Sequence, residues 1–174
     1  MQKNPLRSSI ADSIMGSSTT LYHFYPLSAH TVSGFLGRYD YQMDEKGRVS
    51  LPAAFRKEAG GERFILVQWE KPYLTLFPEE VWKDVQERLL EFRRKEPAAR
   101  NYVREITSNA VEVSPDKQGR ILIPAWLKEA AALEGTVVLS GVIDRVEVWD
   151  PEEFDKAIQE RAEDSKRFRH QIFG

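Results

Sequence analysis

The sequence predicts an α+β protein in which two copies of one small β-rich unit close on each other as a single intertwined barrel. Three observations lead there. The first is an internal duplication. Asp44-Glu45-Lys46-Gly47-Arg48-Val49-Ser50-Leu51-Pro52-Ala53-Ala54-Phe55-Arg56 is answered, 72 positions later, by Asp116-Lys117-Gln118-Gly119-Arg120-Ile121-Leu122-Ile123-Pro124-Ala125-Trp126-Leu127-Lys128. Asp, Gly, Arg, Pro and Ala recur at the same places, and the register continues through Phe77-Pro78-Glu79-Glu80 against Trp149-Asp150-Pro151-Glu152-Glu153, with one residue inserted. The second is strand-like alternation on either side of each Asp-x-x-Gly turn. The third is size. One unit of about 44 residues buries too little apolar surface to stand alone, so two must share a core and cover each other's sheet edges.

Each element follows from local chemistry. Tyr39, Tyr41 and Met43 alternate with polar residues, as Val111 and Val113 do around Glu112, and both stretches read as strands. In each turn the Asp side chain accepts backbone N–H groups and the Gly supplies a positive φ. Val49-Ser50-Leu51 is the returning strand. Pro52 ends it and suits a first helical position, because its missing N–H is not needed there. Ala53 to Ala59 is a short helix with Gly60 as its C-terminal cap. Phe64–Trp69 and Leu74–Phe77 form a second hairpin, and Thr136–Ser140 and Val146–Trp149 repeat it. The copies therefore span 38–81 and 110–153, joined by a helical connector over 82–109. In the connector Val81, Trp82, Val85, Leu89 and Phe92 make one apolar helical stripe, and Tyr102, Val103 and Ile106 make a second. Residues 154–174 are a last helix, with Phe154, Ala157, Ile158 and Ala162 on its apolar side, followed by a charged tail.

Residues 1–34 differ from the rest. They are rich in Ser and Thr, contain Asp12 as their only acid, and hold no sustained periodicity. They read as a disordered extension, or as a segment not translated in the native protein; an amphipathic transit peptide is a weaker fit, with only Lys3 and Arg7 basic.

Composition narrows the function. The chain has 174 residues, no cysteine, a formal net charge of −2 and no apolar run long enough to span a membrane. Disulfides and thiolate chemistry are excluded. The three histidines, His23, His30 and His170, lie outside the repeated units, so the common nucleophile–base pairs are missing there. There is no phosphate-binding glycine loop. Asp44 and Asp116 are acid–base or metal-ligand candidates by type, but their place in the turns assigns them, with Gly47 and Gly119, to turn structure. The sequence reads as a non-enzyme with no cofactor, no metal and no small-molecule substrate.

Arg48 and Arg120 admit two readings. Each can pair with its own Asp across the turn, or each can reach outward from a hairpin tip to donate two bonds to a guanine edge. Two further basic runs are similarly open. Arg93-Arg94-Lys95 is a phosphate contact or a complement to a helix C-terminus. Lys166-Arg167-Phe168-Arg169-His170 touches nucleic acid or is a solvated end.

The paired D-x-x-x-R motifs, Asp44 to Arg48 and Asp116 to Arg120, each followed by an apolar strand and Pro-Ala, resemble the MraZ family, which is similar in turn to AbrB-like regulators. The resemblance covers Phe35 to the end of the chain and includes Phe35-Leu36-Gly37-Arg38, which looks like the usual start of a member. It implies a duplicated AbrB-like swapped-hairpin β-barrel. It also implies a DNA-binding transcriptional regulator of a cell-division and cell-wall gene cluster, working in the cytoplasm and nucleoid as a ring-shaped homo-oligomer. The partners are then double-stranded DNA carrying short promoter repeats and further copies of the chain. Arg48 and Arg120 become the base readers, and Lys46, Lys117 and Arg38 the phosphate contacts. A protein-interaction or antitoxin-like assembly module on the same scaffold is the alternative.

Overall fold

The computed structural model describes residues 34–160 and 162–174. The N-terminal extension, and the readings attached to it, lie outside the described residues. The fold is mixed α+β with an antiparallel sheet and several short helices. Copy one contributes β1 (Arg38–Gln42), β2 (Arg48–Ser50), α1 (Ala53–Glu58), β3 (Phe64–Val67) and β4 (Leu74–Pro78). The connector holds α2 (Glu79–Lys95), a short 3-10 turn (Pro97–Ala99) and α3 (Arg100–Ser108). Copy two contributes β5 (Ala110–Val113), β6 (Arg120–Leu122), α4 (Ala125–Ala130), β7 (Thr136–Gly141) and β8 (Val146–Trp149), followed by α5 (Pro151–Glu160) and α6 (Ala162–Phe173).

The copies are interleaved. The larger sheet has six strands in the order β1-β7-β8-β4-β3-β5, and β2 and β6 form a separate two-stranded ribbon. β1 therefore pairs with a strand of the second copy and β5 with a strand of the first. The β3–β4 and β7–β8 hairpins form within their copies and meet through β4 and β8. Two pairings are self-symmetric under exchange of the copies. β4–β8 is centred on Thr75 opposite Glu147, and β2–β6 on Val49 opposite Ile121. The sheet is open, with β1 and β5 at its edges, so the closed barrel expected from the sequence is not what the strand pairing draws.

A second expectation changes as well. The strands flanking each Asp-x-x-Gly turn do not form a hairpin. The Asp44 N–H donates to the Arg48 carbonyl at 2.9 Å and closes the turn, after which β1 leaves for β7 and β2 for β6. The reason is burial. Val49 and Ile121 are both wholly enclosed, and pairing β2 with β6 puts both under one roof against the large sheet. Each turn is then tied to the other copy: the Leu51 N–H donates to the Gly119 carbonyl and the Ile123 N–H to the Gly47 carbonyl, both at 2.9 Å.

Alternation along β3 divides the apolar interior in two. Phe64 and Leu66 face the main core, which they share with Val49, Phe55, Ile121, Leu127 and Leu139. Ile65 and Val67 face the other way and are covered by Trp82, Val85 and Leu89 of α2 and Val103 and Ile106 of α3. Phe92 and Tyr102, expected on those apolar stripes, stand 45% and 47% exposed at the rim. Copy two uses a different cover. Asp150, the residue inserted relative to copy one, accepts the N–H groups of Glu152 and Glu153 and starts α5. Phe154 then packs edge-on against Trp149. The charged tail is helical to Phe173 rather than irregular, with residues of fair helix propensity and no Gly or Pro before its end.

Candidate nucleic-acid interface

The two turns share one backbone design. In the first, Asp44 Oδ1 accepts the N–H groups of Lys46 (3.0 Å) and Arg48 (2.9 Å). In the second, Asp116 Oδ1 accepts those of Gln118 (2.9 Å) and Arg120 (3.0 Å). Gly47 and Gly119 sit at φ +81° and +76°, which an L side chain enters only under strain. The remaining carboxylate oxygen turns to the arginine: Arg48 Nε lies 2.7 Å from Asp44 Oδ2, and Arg120 Nε lies 3.0 Å from Asp116 Oδ2. Both carboxyl groups are held below the ordinary carboxylate range. For Asp44 the largest cause is the Arg48 backbone N–H; for Asp116, pulled down to about 2, it is the Arg120 side chain.

The β2–β6 pairing brings the turns together. Arg120 bonds Asp116 Oδ2 a second time through Nη2 at 2.7 Å, and its Nη1 lies 3.6 Å from Asp44 Oδ2. Asp44 is thus shared by the arginines of both copies. Arg48 is bound only through Nε, and its two terminal amino groups have no acceptor among the described residues. Lys46 and Lys117 are exposed at the tips, also without an ion-pair partner among the described residues. Arg48, Arg120, Lys46 and Lys117 therefore lie on one surface, which carries Asp44, Glu45 and Asp116 as well.

Arg38 is not part of it. It stands at the end of β1 remote from the Asp44 turn, bonded to Asp40 (3.0 Å) and Asp155 (2.9 Å), with its guanidinium 4.9 Å from the Phe154 ring centre. The Arg93-Arg94-Lys95 run ends α2, on the side of the sheet away from the ribbon.

Two basic residues join the surface that turn chemistry alone does not single out. A Cβ built on Gly119 would meet the Arg56 guanidinium carbon at 2.9 Å, and one built on Gly47 would meet Lys128 Cδ at 3.4 Å. Each side chain lies across the turn of the other copy. Arg56 is fixed further by its Nε donating to the Leu51 carbonyl at 3.2 Å. The signal for them is in the duplication: the offset that pairs Arg48 with Arg120 also pairs Arg56 with Lys128.

Among the described residues no helix is long and apolar enough to cross a membrane. Compared with known proteins, the sequence matches the profile of the family described as "MraZ protein, putative antitoxin-like" twice, over residues 35–105 and 106–171. A protein of Leuconostoc mesenteroides named "Transcriptional regulator MraZ" is 38% identical over 130 residues, which is 75% of this chain and 90% of the relative. Relatives of the same name from Carboxydothermus hydrogenoformans and Desulfitobacterium hafniense are 42% and 46% identical, over 68% and 66% of this chain and 82% and 80% of their own lengths. With two tandem matches that between them run from Phe35 to the final helix, the chain belongs to the MraZ family.

Proposed function

We propose that this protein is a sequence-specific, double-stranded-DNA-binding transcriptional regulator, non-enzymatic, acting in the cytoplasm and nucleoid on the promoter of a cell-division and cell-wall gene cluster. The observation that carries the reading is the convergence of Arg48 and Arg120 on one ribbon, flanked by exposed Lys46 and Lys117. In this reading the six-stranded sheet and the ribbon together serve as a duplicated AbrB-like unit, with repeats over 38–81 and 110–153, left open between β1 and β5. A two-stranded ribbon fits the major groove, where an arginine donates two bonds to guanine O6 and N7. The Nε bond of each arginine to its Asp costs no base-reading capacity at Arg48, because it fixes the guanidinium plane and leaves the amino groups outward. Lys46 and Lys117 then grip phosphates, as do Arg56 and Lys128 beside them, which positions the protein without reading sequence. Arg38, held by Asp40 of β1 and Asp155 of α5, has no part in this surface.

One ribbon offers few cations and the whole chain carries net charge −2, so a single site binds weakly. Several copies in a ring, meeting several short repeats, raise avidity by about 10²–10⁴. Exposed Leu90, Phe92 and Tyr102 on the connector supply apolar surface for contacts between copies. The test is binding to the upstream region of the protein's own operon across a salt series, beside an unrelated duplex of equal length. The expected result is preference for the upstream region that survives added salt better than the unrelated duplex does. Equal affinity for both overturns sequence-specific recognition. The antitoxin-like wording of the family description favours a second reading, a protein-binding module; retention of the ribbon by a protein partner, with no preference among duplexes, supports it.

A further inference from the structure

The ribbon is nearly two-fold symmetric, and the departure from symmetry sits on its outer face. Val49 and Ile121, its central pair, point into the core with no exposure. Because side chains alternate along a strand, their neighbours point outward: Arg48 and Ser50 on β2, Arg120 and Leu122 on β6. The register sets Arg48 opposite Leu122 and Ser50 opposite Arg120. Exchanging the copies turns Arg48 into Arg120, but it turns Ser50 into Leu122. The arginine is duplicated and its cross-strand neighbour is not. Leu122 is 50% exposed, and its Cδ1 lies 3.9 Å from the point a Cβ on Gly47 would occupy, so it stands beside the first turn. No polar group of the ribbon needs a leucine there, and water is a poor neighbour for it.

We propose that Leu122 is a specificity-determining residue of the DNA-reading face, and that it receives the C5-methyl group of a thymine next to the base read by Arg48. The inference rests on the DNA reading proposed above. Thymine alone among the four bases presents a methyl group in the major groove, and an apolar side chain is what recognises it. Ser50 gives the Arg120 half no such contact. One chain therefore reads a site with a direction, rather than the palindrome that a symmetric ribbon would select.

The experiment compares two probes of the operon's upstream region, one made with thymine and one with uracil, which pairs identically but lacks the methyl. The full-length protein is expected to bind the uracil probe about fourfold more weakly, which is what burying one methyl group contributes. Leu122→Ser, which gives the two halves the same outward residues, is expected to bind both probes equally while keeping its melting temperature. Leu122→Val keeps an apolar contact and should retain part of the discrimination. Equal binding of both probes by the unaltered protein overturns the thymine contact and leaves the DNA reading standing. Discrimination that persists in Leu122→Ser also overturns it, since another group then senses the methyl. Binding to neither probe overturns the DNA reading, and the contact falls with it.

Discussion

The two D-x-x-x-R turns are alike in backbone and unlike in what surrounds them. In both, one carboxylate oxygen takes two N–H groups and the other takes the arginine Nε. Yet Arg120 makes two bonds to Asp116 and approaches Asp44 as well, while Arg48 holds Asp44 alone. Gly119 lies under the Arg56 side chain, and Gly47 under the Ile123 carbonyl and Lys128. The tips differ too: Glu45-Lys46 against Lys117-Gln118 makes the second the more positive. Local sequence sets each turn, and the opposite copy sets its neighbours. A duplicated motif can therefore keep one conformation and divide its labour.

If each turn is held by the other copy, separating the copies removes the hold from both, and this is the largest effect expected. Residues 34–109 made alone lack the partners of β1 and β2, and residues 110–174 lack those of β5 and β6. Circular dichroism and light scattering should find each half either unfolded or self-paired as a dimer that rebuilds the missing strand pairs. A folded monomeric half would sink the interleaved description.

The next effect is on recognition. Arg48→Ala with Arg120→Ala should remove the preference for the upstream duplex, at about 1–3 kcal/mol for each arginine. Binding to any duplex at low salt should persist through lysines 46 and 117. Between the single variants, Arg120→Ala should lower the melting temperature more than Arg48→Ala, because only Arg120 spans both turns. Unchanged sequence preference in the double variant would move base reading away from the ribbon.

The glycines sharpen the same contrast. Alanine at either site pays about 1–2 kcal/mol for the left-handed backbone. At position 47 its Cβ would also stand 2.8 Å from the Ile123 carbonyl oxygen, which is backbone and cannot move away, whereas at 119 it meets the end of the flexible Arg56 side chain. Gly47→Ala should therefore melt at a clearly lower temperature than Gly119→Ala. Equal losses would show that both turns yield alike.

These contrasts mark what is legible in the sequence. The turns, the Pro-led short helices, the β3–β4 and β7–β8 hairpins and the connector helices depend on contacts within a few residues, and periodicity and turn chemistry report such contacts directly. Partner choice does not leave that trace. β2 is three residues long and reads equally well as the return arm of a hairpin; only the need to bury Val49 and Ile121 together sends it to β6. Phe92 fits a helical stripe by spacing, but α2 rests on the sheet through Trp82, Val85 and Leu89, and by Phe92 the helix has run past the apolar ground. The cations over the turns, Arg56 and Lys128, are visible as a repeated pair in the sequence, yet their task appears only when the other copy's turn is set beneath them.

The smallest effect separates the two carboxylates. Both are depressed in the folded protein, so each contributes stability above the ordinary carboxylate pKa and loses it as pH falls through the folded value. For Asp116 that window runs from the reference value of 3.8 down to about 2. The causes differ in rank. Asp44 is held first by a backbone N–H, which survives removal of the Arg48 side chain. Asp116 is held first by the Arg120 side chain itself. Carboxyl-carbon NMR titration should thus find that Arg120→Ala raises the Asp116 pKa more than Arg48→Ala raises that of Asp44. The Arg120→Ala protein should also lose less stability on acidification from the reference value of 3.8 downward, since its Asp116 pKa then lies closer to the unfolded one. If the two carboxylates shift equally, the turns divide the work of holding their arginines evenly, and the unequal bonding around Arg120 has no electrostatic consequence.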